Sequence, residues 1–192
     1  MRKIVLASGS IYRRELLARL GLEFESASPD IDETPGPGEQ PGEMVSRLSF
    51  EKASELADRF PQALIIGSDQ CAVIDGEVLG KPGDYDRAFR QLRKASGQSV
   101  IFHTGLCLLD AKDGSRQIDD IEFEVRFRAL SDERIRAYLR REQPWDCAGS
   151  FKSEGLGVAL FASMRGDDPT ALMGLPLIRL VSMLEDAGLA VL

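Results

Sequence analysis

Between Ala63 and Ile74 the chain is apolar at both ends (Ala-Leu-Ile-Ile, then Cys-Ala-Val-Ile) and broken only by Gly67-Ser68-Asp69-Gln70 in the middle. Such a run is a strand bound for the interior, and a carboxylate placed inside it is expensive to bury without a partner. Any fold this chain adopts must therefore bring something to Asp69. Gly67 hints at what that involves, since glycine inside a strand marks close approach of backbone or ligand. A purely structural hydrogen-bond hub at Asp69 satisfies the same constraint.

Around this strand the patterning alternates. Lys3–Ala7 predicts a strand, Ile11–Leu20 a helix stopped by Gly21, and Phe24–Ser28 a second strand. Asp30–Gly42 is a proline- and glycine-rich acidic loop. Glu43–Phe60 and Asp84–Ser96 predict amphipathic helices. Ser99–Ala111 and Ile118–Leu130 predict long antiparallel strands joined through Asp113-Gly114. A helix over Ser131–Arg141, a short strand over Val158–Ser163 and a last helix opened by Pro176 and ended at Gly188 complete the pass. Strands alternating with helices, hairpin-like pairs among them, predict a mixed α/β sheet rather than a purely parallel one. At 192 residues, with no repeat and no linker, this is one domain spanning 1–192.

Composition removes several functions. Hydrophobic residues at 43% and charged residues at 29% exclude wholesale disorder. No apolar run approaches the roughly 18 residues of a membrane span, and the start is too short in apolar residues for a signal peptide, which predicts a cytoplasmic protein without membrane contact. Three separated cysteines without a CxxC pair argue for free thiols, and the single histidine, His103, rules out a His-rich metal site. No GxSxG elbow accompanies it. The net charge of −7 argues against a polymeric nucleic acid partner. A small anion met by a local cluster of Lys and Arg stays open.

Several segments could meet one. Ser8-Gly9-Ser10 leads from a strand into a helix, where backbone N–H groups favour phosphate; Ser8 and Ser10 offer hydroxyls, and Arg13 in the first turn opposes the helix dipole unless an anion is bound. An ordinary serine cap reads equally well. Asp30-Ile31-Asp32-Glu33 offers hard carboxylate oxygens for magnesium or manganese, or is a solvated acidic turn. Gly76–Pro82 is not a P-loop: three residues separate its glycines, and proline stands where Ser or Thr would bind magnesium. Lys81 within it can still neutralise phosphate. Lysine is scarce, six against 18 arginines, and Lys52, Lys81 and Lys152 all fall near these segments. Gly155-Leu156-Gly157 lacks the third glycine of a dinucleotide fingerprint. Tyr12 and Trp145 have packing as their default explanation.

Taken together, LASGSIYRRELL at the start, PDIDETP, LSFEKA, LIIGSDQ, GKPG, CAGSFKSEG and GDDPTALMGLPL resemble the Maf-like nucleoside triphosphate pyrophosphatases, specifically the YceF-like subgroup that acts on 7-methyl-GTP. The resemblance covers nearly the whole chain; Ile11 departs from it, standing where the family usually has proline. It implies a mixed, strongly twisted sheet flanked by helices, with two lobes around a cleft, and a homodimer. It implies hydrolysis between the α- and β-phosphates with a divalent cation, Mg2+ or Mn2+. Asp69 is then the proton acceptor that activates water, Ser8, Ser10 and Arg13 hold phosphate, Glu33 serves metal or water, and Glu33 and Asp69 are the metal positions. Lys52 and Lys81 offset phosphate charge. Tyr12, Gln70 and Glu154 occupy the base-selecting positions. A pyrophosphatase preferring dTTP, UTP or damaged purines, and a nucleotide-sensing regulator of septum formation without turnover, are the competing expectations.

Overall fold

Strand parity decides how this chain layers itself. The structure, a computed structural model, describes residues 2–192. In chain order it contains β1 (Ile4–Ala7), α1 (Ile11–Ala18), β2 (Glu25–Ala27), α2 (Pro41–Glu55), β3 (Leu64–Ile74) and β4 (Glu77–Leu79). There follow α3 (Tyr85–Ala95), β5 (Ser99–Asp110), β6 (Arg116–Phe127), α4 (Asp132–Glu142), β7 (Phe161–Arg165) and α5 (Leu177–Asp186). The sheet runs β2-β1-β3-β5-β6-β7, with β4 also on β3. β1 is parallel to β2 and to β3, whereas β4 and β7 are antiparallel to their neighbours. Asp110 bonds Ser115 at one end of the β5–β6 pair and Phe127 bonds Gln98 at the other, so that pair is antiparallel too. The expected mixed sheet is what forms.

Contacts divide the chain into two compact units. The first holds the residues up to Asp69, Thr104–Ile121 and Asp168–Leu192; the second holds Gln70–His103 and Glu122–Asp167. In the first unit, successive strand residues point to opposite faces. Ile4, Leu6, Leu64, Ile66, Leu106 and Leu108 face one way and bury against Leu16 and Leu17 of α1 and Leu180, Met183 and Leu184 of α5. Val5, Ala7, Ile65, Cys107 and Leu109 face the other way, against Ala53 of α2 and Leu56 and Phe60 just beyond it. Fully burying side chains of this size contributes about 1.5–3 kcal/mol each.

Two glycines let α2 lie against this second face. A Cβ on Gly67 would come 1.9 Å from the Ser49 carbonyl oxygen, and one on Gly105 would come 2.1 Å from that of Val45. Helix backbone thus touches strand backbone at both points, and no other residue type leaves room.

The second unit is built around rings. Phe102, Phe127, Phe151 and Phe161 pack edge to face, with centroids 4.8–5.6 Å apart. α3 and α4 close this unit through Ala88, Leu92, Ile135 and Leu139.

The boundaries of β3, α2 and the segment before β7 differ from expectation in ways the structure explains. β3 runs unbroken through Gly67–Gln70. α2 starts at Pro41, where proline needs no N–H partner, with Gln40 and Glu43 forming a capping box; it ends at Glu55 rather than Phe60. Val158–Ser163 is not one strand: Leu156–Leu160 is a short 3-10 helix, and only Phe161 onward pairs with β6. The Gly157 N–H bonds the Lys152 carbonyl at 3.1 Å, which curls the chain before it can extend. No helix among the described residues is long and apolar enough to cross a membrane.

Gly67→Ala and Gly105→Ala should each destabilise the protein by about 1–3 kcal/mol or more, the cost of forcing atoms into a filled core. Urea unfolding measures this. Stability within a few tenths of the parent would show that the helix–sheet contact is not as tight as described.

Candidate active site

Asp69 shares its strand parity with Ile65 and Gly67, so it points to the α2 face. Lys52 lies on the buried stripe of α2 with Val45, Leu48 and Ser49. The close contact at Gly67 and Ser49 brings the next turn of the helix over the next inward strand position. The result is an ion pair: Lys52 Nζ lies 2.6 Å from Asp69 Oδ1. The same ammonium lies 2.7 Å from Glu33 Oε1. The Lys52 side chain is 8% exposed and that of Asp69 13%, while Glu33 is 59% exposed. One buried cation therefore holds one nearly buried and one solvent-facing carboxylate. This is the partner that Asp69 required.

The end of β1 delivers a second group of donors to the same unit. Ser8 is buried and its Oγ accepts the Ser10 N–H at 3.1 Å. Ser10 is the N-cap of α1, its Oγ accepting the Arg13 N–H at 3.4 Å. The helix start is thus capped without the family's proline at position 11. The Arg13 Nε donates to the Gly174 carbonyl at 2.7 Å. Burial pulls the Arg13 guanidinium down from the usual arginine range, and the charges of Asp69 and Glu33 pull it back up. The Ser68 hydroxyl, on the opposite face of β3 from Asp69, is shared between the carbonyls of Gly105 (2.8 Å) and Gly174 (2.9 Å). The Gly174 carbonyl therefore ties the arginine of α1 to the residue beside Asp69.

Glu33 is exposed, yet its loop is fastened. Arg47 of α2 donates from Nε and Nη2 to the two Glu39 oxygens at 2.6 and 2.8 Å, and from Nη2 to the Thr34 carbonyl at 3.3 Å. Glu39 also accepts the Gly36 N–H, and Asp32 accepts from the Thr34 N–H and hydroxyl.

Ser8, Ser10, Arg13, Glu33, Lys52 and Asp69 all belong to the first unit. Tyr12, half-buried in the first turn of α1, belongs there too. Gln70, Lys81 and Glu154 belong to the second. Lys81 is exposed on a loop held by Gln91, which bonds the Gly80 carbonyl, and by the Gly83 N–H to the Trp145 carbonyl. Glu154 is exposed on the turn that follows Phe151. Burial pushes the Cys107 and Cys147 thiols up to about 12, away from the thiolate form that reactive cysteines use.

A family model described as Maf-like protein matches residues 3–187, nearly the entire chain and both units. The chain belongs to the Maf-like protein family. Among its Maf-like relatives, a protein of Pseudomonas aeruginosa named 7-methyl-GTP pyrophosphatase is 58% identical over the full length of both chains. One of the same name from Nitrosococcus oceani is 57% identical over 98% of this chain and 95% of its own. The HAM1 protein of Coxiella burnetii shares the fold, with a TM-score of 0.54 at 17% identity over 97% of this chain and all of that one. The Staphylococcus aureus Ham1 protein does so with a TM-score of 0.56 at 11% identity, over 97% of this chain and all of its own.

Sequence reasoning missed Arg47, Ser68 and the Gly174 carbonyl. Ser68, a hydroxyl in an apolar strand, was a readable signal; a backbone carbonyl 161 residues from its arginine has none.

The Arg47 guanidinium holds the Glu39 carboxyl at about 2, against an ordinary value of 4.5. A depressed carboxyl stabilises the fold above its ordinary value and loses that contribution as pH falls through the depressed one. The stability gap between the parent and Glu39→Gln should therefore shrink steadily from about pH 4.5 to about pH 2. Acid unfolding followed by circular dichroism reads it, and a gap constant across that window would contradict the pairing.

Proposed function

We propose that this chain hydrolyses 7-methyl-GTP to 7-methyl-GMP and pyrophosphate, removing a modified nucleotide in the cytoplasm. The observation that carries this reading is the convergence of Asp69 and Glu33 on the buried Lys52 ammonium, in a chain so similar to proteins named 7-methyl-GTP pyrophosphatase.

The chemistry follows from the groups present. Asp69, paired with Lys52, accepts a proton from water, whose oxygen attacks the α-phosphorus. The bond from that phosphorus to the bridging oxygen breaks, and pyrophosphate leaves. Arg13, with Nε committed to Gly174, keeps its Nη groups for phosphate oxygens, and the capped start of α1 adds N–H donors and Ser8 and Ser10 hydroxyls. Lys52 and Lys81 offset phosphate charge. Glu33 and Asp69 each turn one oxygen to Lys52, and the second oxygen of each carboxylate is a hard donor of the kind magnesium or manganese takes, so these two residues would hold such an ion beside the ammonium. When bound, such an ion neutralises charge developing on the phosphates.

Base selection rests on Tyr12, Gln70 and Glu154. A 7-methylguanine ring is cationic, so stacking on Tyr12 contributes about 0.5–2 kcal/mol as a cation–π contact. The Glu154 carboxylate accepts from the donor edge of guanine and repels the acceptor that thymine and uracil present beside their donor.

With magnesium or manganese, pyrophosphate release from 7-methyl-GTP should exceed that from dTTP, UTP and GTP. Preferential release from dTTP or UTP would replace the substrate, and tight binding without product would make the protein a sensor. Asp69→Asn should lower kcat by about 10²–10⁴-fold, the usual worth of a general base, with nucleotide affinity largely kept. A near-normal kcat would remove Asp69 from the mechanism.

A further inference from the structure

The turn that carries Glu154 is built with unusual economy and is tied to α4 at both ends. Lys152 opens it, and its carbonyl accepts the N–H groups of Gly155 at 3.3 Å and Gly157 at 3.1 Å. A Cβ on Gly157 would lie 2.2 Å from that carbonyl oxygen, so only glycine closes the turn this tightly. On the entry side, the Lys152 N–H donates to the Tyr138 hydroxyl at 3.1 Å. On the exit side, the Leu156 N–H donates to a carboxylate oxygen of Glu142 at 2.7 Å. A Cβ on Gly155 would come 2.9 Å from both Glu142 oxygens, so the carboxylate sits directly against the residue that follows Glu154.

These two anchors are of different kinds. Tyr138 is buried in the α4 packing and Leu139 beside it is fully buried, so the hydroxyl is a fixed point. Glu142 is the last residue of α4, and the chain leaves it through Gln143 in a left-handed conformation (φ 49°). A charged acceptor makes the bond to the Leu156 N–H stronger than a neutral one would. Between the anchors, Glu154 is left exposed, with the Ser153 hydroxyl donating to its carboxylate at 3.2 Å.

We propose that Glu142 and Tyr138 are positioning residues for Glu154: they fix the Lys152–Gly157 turn and so set base selectivity without touching the nucleotide. The proposal rests on the reading of Glu154 as a base-selecting residue. It predicts that loosening the turn lowers discrimination between bases while the phosphate chemistry of the first unit continues.

The test measures kcat/KM for 7-methyl-GTP and dTTP in the parent, Glu142→Ala, Glu142→Gln, Glu154→Ala and the Glu142→Ala/Glu154→Ala pair. Glu142→Ala should lower the 7-methyl-GTP to dTTP ratio by about ten- to a hundredfold, mainly through KM, as small misplacements do. Glu142→Gln keeps an oxygen to accept the Leu156 N–H and should retain most of the ratio. The double variant should discriminate no worse than Glu154→Ala alone, because the two act as one unit. Should Glu142→Ala fail to fold, Tyr138→Phe removes the other anchor and is read in the same way. A folded Glu142→Ala or Tyr138→Phe with the parent's ratio, or a loss that adds to that of Glu154→Ala, overturns the proposal alone. A parent without preference for 7-methyl-GTP overturns the substrate reading and this proposal with it.

Discussion

A single ammonium group governs the first unit. Lys52 is buried, and a buried charge is tolerated only when paired. Asp69 and Glu33 pair it, and it in turn is the partner that a carboxyl group in an apolar strand requires. Removing one partner of such a pair leaves an uncompensated buried charge, typically costing about 3–5 kcal/mol. The same interdependence that makes the group costly to break makes it specific, since the lysine must arrive at one place on the strand. Gly67 and Gly105 ensure this by letting α2 settle backbone to backbone on β3 and β5. Packing and charge here are one constraint: a wider helix–sheet gap would leave Lys52 short of Asp69.

The rest of the unit trims this arrangement into a site. Arg47 straps the Glu33 loop to α2, so that an exposed acid on a proline-rich loop still meets a buried lysine. Asp168, buried ahead of the last helix, accepts the Ile178 and Arg179 N–H groups and the N–H and hydroxyl of Thr170, shaping the segment that ends in Gly174. Gly174 adopts a positive φ of 98°, which favours glycine, and presents its carbonyl to Arg13 and Ser68. Groups far apart in sequence thus fix the arginine from one side and the strand beside the aspartate from the other. Preorganisation of this kind lets donors act on developing charge without rearranging during reaction.

Much of this was legible beforehand, for identifiable reasons. The cost of burying Asp69 follows from its neighbours alone, and the need for a partner was answered by Lys52. The order of strands and helices followed from period, because long amphipathic segments such as the α2 and β6 regions carry an unambiguous signal. Val158–Ser163 did not: a short apolar run fits a strand and a 3-10 turn equally, and the Gly157–Lys152 bond decided it. β4 was hidden in three residues beside a turn. Bonds to backbone carbonyls, as from Arg13 to Gly174, leave no side-chain signature. Gly105 carried the same signal as Gly67, close approach of a helix, without an adjacent acid to draw notice.

In the proposed reaction, Asp69, paired with Lys52, directs a water oxygen onto the innermost phosphorus. The most direct measurement is a single turnover of 7-methyl-GTP in water labelled with heavy oxygen, followed by mass analysis of both products. The account predicts the label in 7-methyl-GMP and none in pyrophosphate. Label in the pyrophosphate would place the attack on the β-phosphorus and contradict it.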